Sequence, residues 1–402
     1  MNNLKSRQRT DKRFKYYGIT AICIALAFLG VLLFDIAIKG VSGLQQTQIR
    51  LEIQFDKEVI ESGSIAKLVR DGFDKRFPEV ESTADKRALY RLIPDAAKFI
   101  LQDKYESDPS LIGTTKSVWL PAHERVDVYI KQNVNDWDTK ASAKQKEFIE
   151  ELQKNDDIDL NFNSAFFTYG DSQEPELAGI AGAFVGSMLT IFACMIMAIP
   201  LALLAAVYLE EFAPKNKYTE LLEVNINNLA AVPSIVFGLL GLSIYLNFFG
   251  MPRSAPIVGG MTLALMVVPV IIIAARASIK AVPSTIRQAA VGIGASPLQV
   301  VMHHTLPLAT PGIMTGIILS FARALGETAP LLMIGMVAFV ADIPQSFSDP
   351  SSVMPVQIFL WSKNNQIGFV EKTAAAILVL LALLILLNLV AVWVRKKYER
   401  RW

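Results

Sequence analysis

Of the 402 residues, 52% are hydrophobic, the mean hydropathy is +0.37 and the formal net charge is +2. A soluble domain of this length is not normally so apolar, and basic residues set beside apolar runs are a membrane pattern, not that of a nucleic-acid binder. Cys23 and Cys194 both lie inside apolar runs, which excludes a disulfide framework, and His123, His303 and His304 join no cluster with metal-ligand spacing.

The chain opens with a basic arm (Lys5, Arg7, Arg9, Lys12, Arg13, Lys15) and an apolar run over 17–38. That run is too long for a signal-peptide core and no A-x-A site follows it, so it is predicted to remain as a transmembrane helix. Residues 40–178 are dense in Lys, Asp and Glu and read as a small α+β domain. IRLEIQF at 49–55 alternates like a strand, segments near 64–76, 84–106 and 140–154 read as helices, and IDLNFNSAFF at 158–167 reads as a last strand. GDSQEPE at 170–176 is turn-like, and His123-Glu124 reads as solvated loop surface.

Five further apolar segments follow, roughly 180–209, 228–249, 256–275, 309–335 and 373–394, making six predicted spans. Lys and Arg concentrate in the arm, in the 210–227 and 276–308 loops, and in the tail (Arg395, Lys396, Lys397, Arg400, Arg401). The positive-inside rule therefore puts both termini in the cytoplasm and 40–178 outside. The expected fold class is an all-α polytopic membrane protein with an external α+β insert after its first helix. Its segments are an arm and first helix (1–39), the insert (40–178), a five-helix membrane domain (179–395) and a cytoplasmic tail (396–402).

Within the 276–308 loop, Gln288-Ala289-Ala290 is followed by Gly294 and then by Leu306-Pro307. This spacing resembles the motif by which ABC importer permeases seat a short helix–turn–helix on their ATPase, with Gln288 in place of its acid and His304 in place of its usual Ile. No glycine is followed by lysine, so the chain carries no P-loop and ATP would have to be bound by a separate subunit. No cofactor is expected.

The fifth span holds Arg323 and Glu327. Each charge at a helix centre costs roughly 2.5–3.5 kcal/mol on insertion scales, and such residues face a bundle interior or a watery path. Counted from Ala309, Arg323 lies about 21 Å along the helix, and the i,i+4 spacing puts it on one face with Glu327. They either neutralise each other or meet an anion, with Gly326 and Pro330 loosening the helix around them. Arg276, ending the fourth span, is either an interfacial anchor or part of the path. The third span begins around Pro233-Ser234, where Pro233 should kink it, and Gly238 and Gly241 permit close helix approach.

PSIVFGLLGL at 233–242, the 288–307 loop, ARALGETAPLL at 322–332 and MPVQIF at 354–359 together resemble the PstA-type permeases of phosphate ABC importers. The resemblance covers most of the chain from about 180 to 400. It implies a type I ABC importer permease fold in the bacterial inner membrane and a second, PstC-like permease subunit completing the pore. It also implies an ATPase dimer docked on Gln288, Ala289, Ala290, Gly294, Leu306 and Pro307, and a periplasmic phosphate-binding protein delivering the anion. Arg276, Arg323, Glu327 and Ser234 would lie on the substrate path. The insert's role is not implied. Alternatives from the residues alone are a permease for another oxyanion, a membrane-anchored sensor, and an ion-coupled secondary transporter. The last would be expected to show inverted repeats and discontinuous helices, which the sequence does not clearly display.

Overall fold

The computed structural model describes residues 2–132 and 143–398. Arg400 and Arg401 of the tail, and residues 140–142 of the helix predicted over 140–154, lie outside the described residues. The chain is mostly helical and divides into two compact units, residues 1–163 with 366–378 and residues 164–365 with 379–402.

The first unit starts with a single helix, Asn2–Gly43, whose 42 residues give it a length of about 63 Å. Its segment Thr10–Gly43 is long and apolar enough to cross a membrane, and side chains such as Phe28 are exposed because no protein covers them. The chain then enters a three-stranded antiparallel sheet of order β2-β1-β3, with β1 Gln45–Gln54, β2 Thr115–Pro121 and β3 Ile158–Phe162. The predicted alternation holds in β1, where Ile49, Leu51 and Ile53 are buried and Arg50, Glu52 and Gln54 are exposed. Ile49 sits opposite Leu120 of β2 and Ile158 of β3. Helix Ile65–Arg76 covers the inner face through Leu68 and Phe73, and Phe77, Leu89, Leu101, Ile149 and Leu152 complete the core.

Three details of this unit differ from expectation. The helix predicted over 84–106 is two, Thr83–Tyr90 and Ala97–Ser107, because Pro94 lacks an N–H and disfavours helical backbone before it. The run at 158–167 is a strand only to Phe162, after which Ala165–Thr168 turns helical. Glu124 is not idle surface: it opens helix Glu124–Gln132 and accepts the Gly368 N–H at 2.8 Å, at the start of helix Gly368–Tyr398. His123 beside it is largely buried, which pushes its pKa below the ordinary histidine value.

In the second unit, helix Ala181–Val207 continues through one π turn to Phe212 and packs along helix Pro256–Lys280, which in turn packs along Leu306–Gly326. Small residues make the first contact close: Gly260 lies against Ala193 and Cys194. Five described helices are long and apolar enough to cross a membrane, or six if one bent pair counts as a span. That pair replaces the continuous third span predicted over 228–249. Helix Lys217–Ala230 ends before Pro233 and a second helix runs from Ser234 to Phe248 at 99° to it. Pro233 can donate no hydrogen bond, which weakens the helix at the point where it breaks.

Candidate functional site

The fifth span is broken as well. Helix Leu306–Gly326 stops one residue before Glu327, whose backbone is extended (φ −76°, ψ 130°), and a short helix, Ala329–Met333, follows with Pro330 in its first turn. Arg323 and Glu327 therefore do not share one helix face, and the continuous span predicted over 309–335 is corrected to a helix, a break and a turn. Their side chains still meet: Arg323 Nε donates to Glu327 Oε1 at 3.5 Å. That is a single bond at the outer limit of length, from a guanidinium with five donors. Among the described residues Arg323 makes no other ion pair, and its side chain is 41% exposed.

The two broken spans adjoin. Gly238 packs so closely on the fifth span that a Cβ there would stand 2.7 Å from Pro330 Cα. Ser234, one turn earlier, is half-buried and opens its helix on Pro233, which has extended ψ. The Ser234 and Ile235 amides have no carbonyl to meet inside that helix, because the first helical N–H to bond is that of Val236, to Pro233 O at 3.0 Å. Arg323, Glu327 and the start of the Ser234 helix thus flank two stretches of freed backbone, which at membrane depth survive only in a protein interior or along a water-filled path. Discontinuous helices, which the sequence did not reveal, are therefore present in this unit.

Arg276 is not part of this group. It pairs with Glu223 Oε1 at 2.7 Å through Nη2 and with Glu210 Oε2 at 3.3 Å through Nε. Gly316 packs on Ala274 and Gly312 on Ser278, which sets Arg276 level with the residues around 314, roughly nine residues or about 13 Å from Arg323 along the helix. The acids that hold it were not singled out in the sequence. The Glu210-Glu211 doublet ending an apolar run was the available signal.

The connecting loop is the short helix–turn–helix its spacing predicts. Helix Ser284–Gly292 carries Gln288, Ala289 and Ala290, of which only Ala290 is buried. Gly294 turns the chain with φ +89°, a backbone that L side chains rarely adopt, and a Cβ there would meet nothing. Ser296 and Gln299 form a capping box at the start of Pro297–Val300. One π turn, Val301–Thr305, then joins Leu306 and Pro307, both half-buried. Arg287 holds the assembly in place by an ion pair to Glu211 at 2.8 Å and a hydrogen bond to Ile279 O at 2.8 Å. The loop presents a bare apolar tip: Val291, Ile293, Leu298 and Met302 are 59%, 84%, 61% and 54% exposed. Helix Met354–Ser362, which bears the MPVQIF motif, braces the other end of the unit, with Ser187 Oγ accepting the Met354 N–H and Trp361 Nε1 donating to Asp171 at 2.9 Å. Burial raises the Asp171 pKa above the usual carboxylate range.

Broken apolar spans, an intramembrane ion pair and an exposed helix–turn–helix define a multi-pass membrane component of a transport system. The chain belongs to the family described as binding-protein-dependent transport system inner membrane component, which matches residues 177–402. Residues 1–139 match a domain of unknown function (DUF3333). Among relatives, the phosphate transport system permease protein PstA of Yersinia pestis is 31% identical over 224 residues, covering 55% of this chain and 74% of that protein. Phosphate transport system permease protein PstA 1 of Mycobacterium tuberculosis (strain ATCC 25618 / H37Rv) is 30% identical over 224 residues, 56% of this chain and 71% of that protein. A probable ABC transporter permease, YqgI of Bacillus subtilis (strain 168), is 30% identical over 57% of this chain and 81% of its own length. A solved inward-facing MetNI methionine ABC transporter aligns with a TM-score of 0.42 at 14% identity, over 55% of this chain and 96% of that one.

Proposed function

We propose that this chain is a permease subunit of an ATP-driven inorganic phosphate importer, forming half of a translocation pore in the bacterial inner membrane. The observation that carries the reading is Arg323, held at a break in the fifth span with most of its donors unspent, in a chain related to PstA proteins. Phosphate at neutral pH is a mono- or dianion, and a planar guanidinium matches its oxygens bidentately. Glu327 would position or release the anion, with Ser234 and the free amides beside it on the path, while Arg276 anchors the cytoplasmic end. Affinity at such a point has to be modest, since a conduit must also release its cargo.

In this reading the membrane domain has the type I ABC importer fold, both termini are cytoplasmic and residues 40–178 lie outside. A PstC-like permease completes the pore, and a periplasmic binding protein delivers phosphate. An ATPase dimer binds the nucleotide and seats the tip formed around Gln288–Pro307, whose exposed Ile293 and Leu298 fit an apolar groove. The test is ATP-dependent uptake of radiolabelled phosphate in cells lacking other phosphate transporters, with sulfate and molybdate as competitors. Uptake driven by this chain and its partners and untouched by either competitor is expected, and competition by sulfate would assign the site to a different oxyanion. Orientation is read separately. Ser110→Cys should react with an impermeant thiol reagent in intact spheroplasts and Thr285→Cys only after lysis.

A further inference from the structure

A second cationic feature lies at the end of helix Lys217–Ala230 remote from the break at Pro233. The π turn ending at Phe212, the start of helix Lys217–Ala230 and the end of helix Pro256–Lys280 enclose a cleft of about 600 Å³ with polar walls. Lys215 and Lys217 line it from the stretch that opens helix Lys217–Ala230, and Lys280 from the end of helix Pro256–Lys280. Arg276 forms part of the wall, but its charge is consumed by Glu210 and Glu223. The three lysines make no ion pair among the described residues, and against them stand Glu220 and the one carboxylate charge that Arg276 leaves unbalanced in Glu210 and Glu223. The positive end of the Lys217–Ala230 helix dipole adds to the same field.

We propose that this cleft binds a phosphate group, either the phosphodiester of an anionic phospholipid headgroup or a free phosphate ion. Three ammonium groups lining one cleft, two from the Lys215–Lys217 stretch and one from Lys280, offer point charges and several N–H donors to the oxygens of a phosphate group. The surroundings favour the lipid. The cleft stands where three membrane-side elements end, and Tyr208, Phe212 and Tyr218 around it are 54%, 43% and 80% exposed, as aromatic rings are at headgroup level. Leu221 and Leu222, on the next turn of the same helix, are more than half exposed and provide an apolar face for acyl chains. Basic pockets between membrane helices hold acidic headgroups in this way. The inference does not depend on the transported substrate, because none of the three lysines belongs to the proposed path.

The test uses the permease assembled with its partner subunits in nanodiscs of phosphatidylcholine, with phosphatidylglycerol as the probe, and retained lipid counted by native mass spectrometry. Each of Lys215→Gln, Lys217→Gln and Lys280→Gln should weaken retention about fivefold, and the triple variant about a hundredfold. The single changes and the charge-preserving Lys217→Arg keep the test valid should the triple variant fail to assemble. Displacement of the lipid by excess inorganic phosphate would make free phosphate the ligand of the same cleft, and no displacement makes it the lipid. Unchanged retention in the lysine variants, or an equal loss from Lys363→Gln elsewhere on the surface, would overturn the proposal. Failure of phosphate uptake in the parent complex would instead count against the function proposed above and leave this site untouched.

Discussion

Lys131 in the first unit and Arg323 in the second are both cations held against a carboxylate, yet their surroundings differ at every bond. The Lys131 ammonium has three donors and uses all of them: Asp127 Oδ2 at 2.6 Å, Gln45 O at 2.7 Å and Glu371 Oε2 at 3.1 Å. Its side chain is 4% exposed and that of Glu371 6%, while Asp127 also accepts the Thr47 N–H at 2.7 Å. Arg323 has five donors and commits one, at 3.5 Å, in a pair that is 41% and 19% exposed. A cluster with every donor matched and water excluded has nothing left to bind with, so its energy goes into holding helix Glu124–Gln132 to the start of helix Gly368–Tyr398. An open pair beside freed backbone, with one bond at the limit of length, leaves four of its donors uncommitted among the described residues. An ion pair in a membrane protein is thus read by its unspent donors, not by its mere presence.

The largest effect that would break this contrast is on transport. Arg323→Gln should reduce radiolabelled phosphate uptake to background with expression and assembly unchanged, and Arg323→Lys should be badly impaired because a point charge cannot reproduce the planar fork. If the pair existed only to neutralise itself, Arg323→Gln combined with Glu327→Gln would transport normally, which would remove the anion-contact role. Next in size is Lys131→Met, which takes the shared cation away from two mostly buried carboxylates. It should destabilise the first unit by about 3–5 kcal/mol, seen as a lowered midpoint in thermal unfolding or as new protease cleavage in the insert. Adding Glu371→Leu and Asp127→Asn should recover most of the loss, and no recovery would mean the site is held by something other than this charge network.

A smaller effect is expected at the Gln288–Pro307 loop. Gly294→Ala places a Cβ on a backbone with φ +89°, which costs about 1–2 kcal/mol although the space is open. Bulk is not the obstacle there, so Gly294→Trp should act much as Gly294→Ala does. The loop should lose its set while the membrane helices keep theirs, and ATP hydrolysed per phosphate imported should rise. Ile293→Asp, at an 84% exposed position, should leave stability unchanged and weaken co-purification of the ATPase. Undiminished co-purification would argue that the apolar tip is not the seat.

What the sequence made legible is what depends on neighbours along the chain. Run length located the long spans, alternation located β1, and the Gln288–Pro307 spacing foretold a helix–turn–helix because each of its signals lies within twenty residues. Pro233, Gly326 and Pro330 pointed to weak places in two spans, but whether a proline kinks a helix or ends it is decided by what packs alongside. Here Gly238 against Pro330 brings two weak places together, and both helices break. The partners of Arg276 and Lys131 were invisible for another reason: Glu210 lies 66 residues from its arginine, and Glu371 lies 240 from its lysine. No pattern in the sequence marks such pairs. The short strand β2 escaped because its first three residues are exposed and only Val118 and Leu120 show the alternation.

The smallest expected effect is also the most direct measure of how the two cations differ. A double-mutant cycle for Arg323 and Glu327, read as unfolding free energy of the purified complex, should give a coupling below about 1 kcal/mol. The contact is at the limit of hydrogen-bond length, a third or more of the arginine side chain is open to solvent, and extended backbone at Glu327 leaves its carboxylate free to turn away. The matching cycle for Lys131 and Glu371 should give several times as much, because neither group has another route to solvent. A coupling above about 2 kcal/mol at Arg323–Glu327 would mean that the pair is closed by contacts of its own and holds the break in the fifth span together. Arg323 would then have no donors to offer, and loss of uptake in Arg323→Gln would trace to a collapsed break instead of a missing anion contact. Repeating the cycle in saturating phosphate separates these cases. An anion bridging Arg323 should stabilise the parent by an amount that grows with ligand concentration, and every variant lacking the guanidinium should show no such gain.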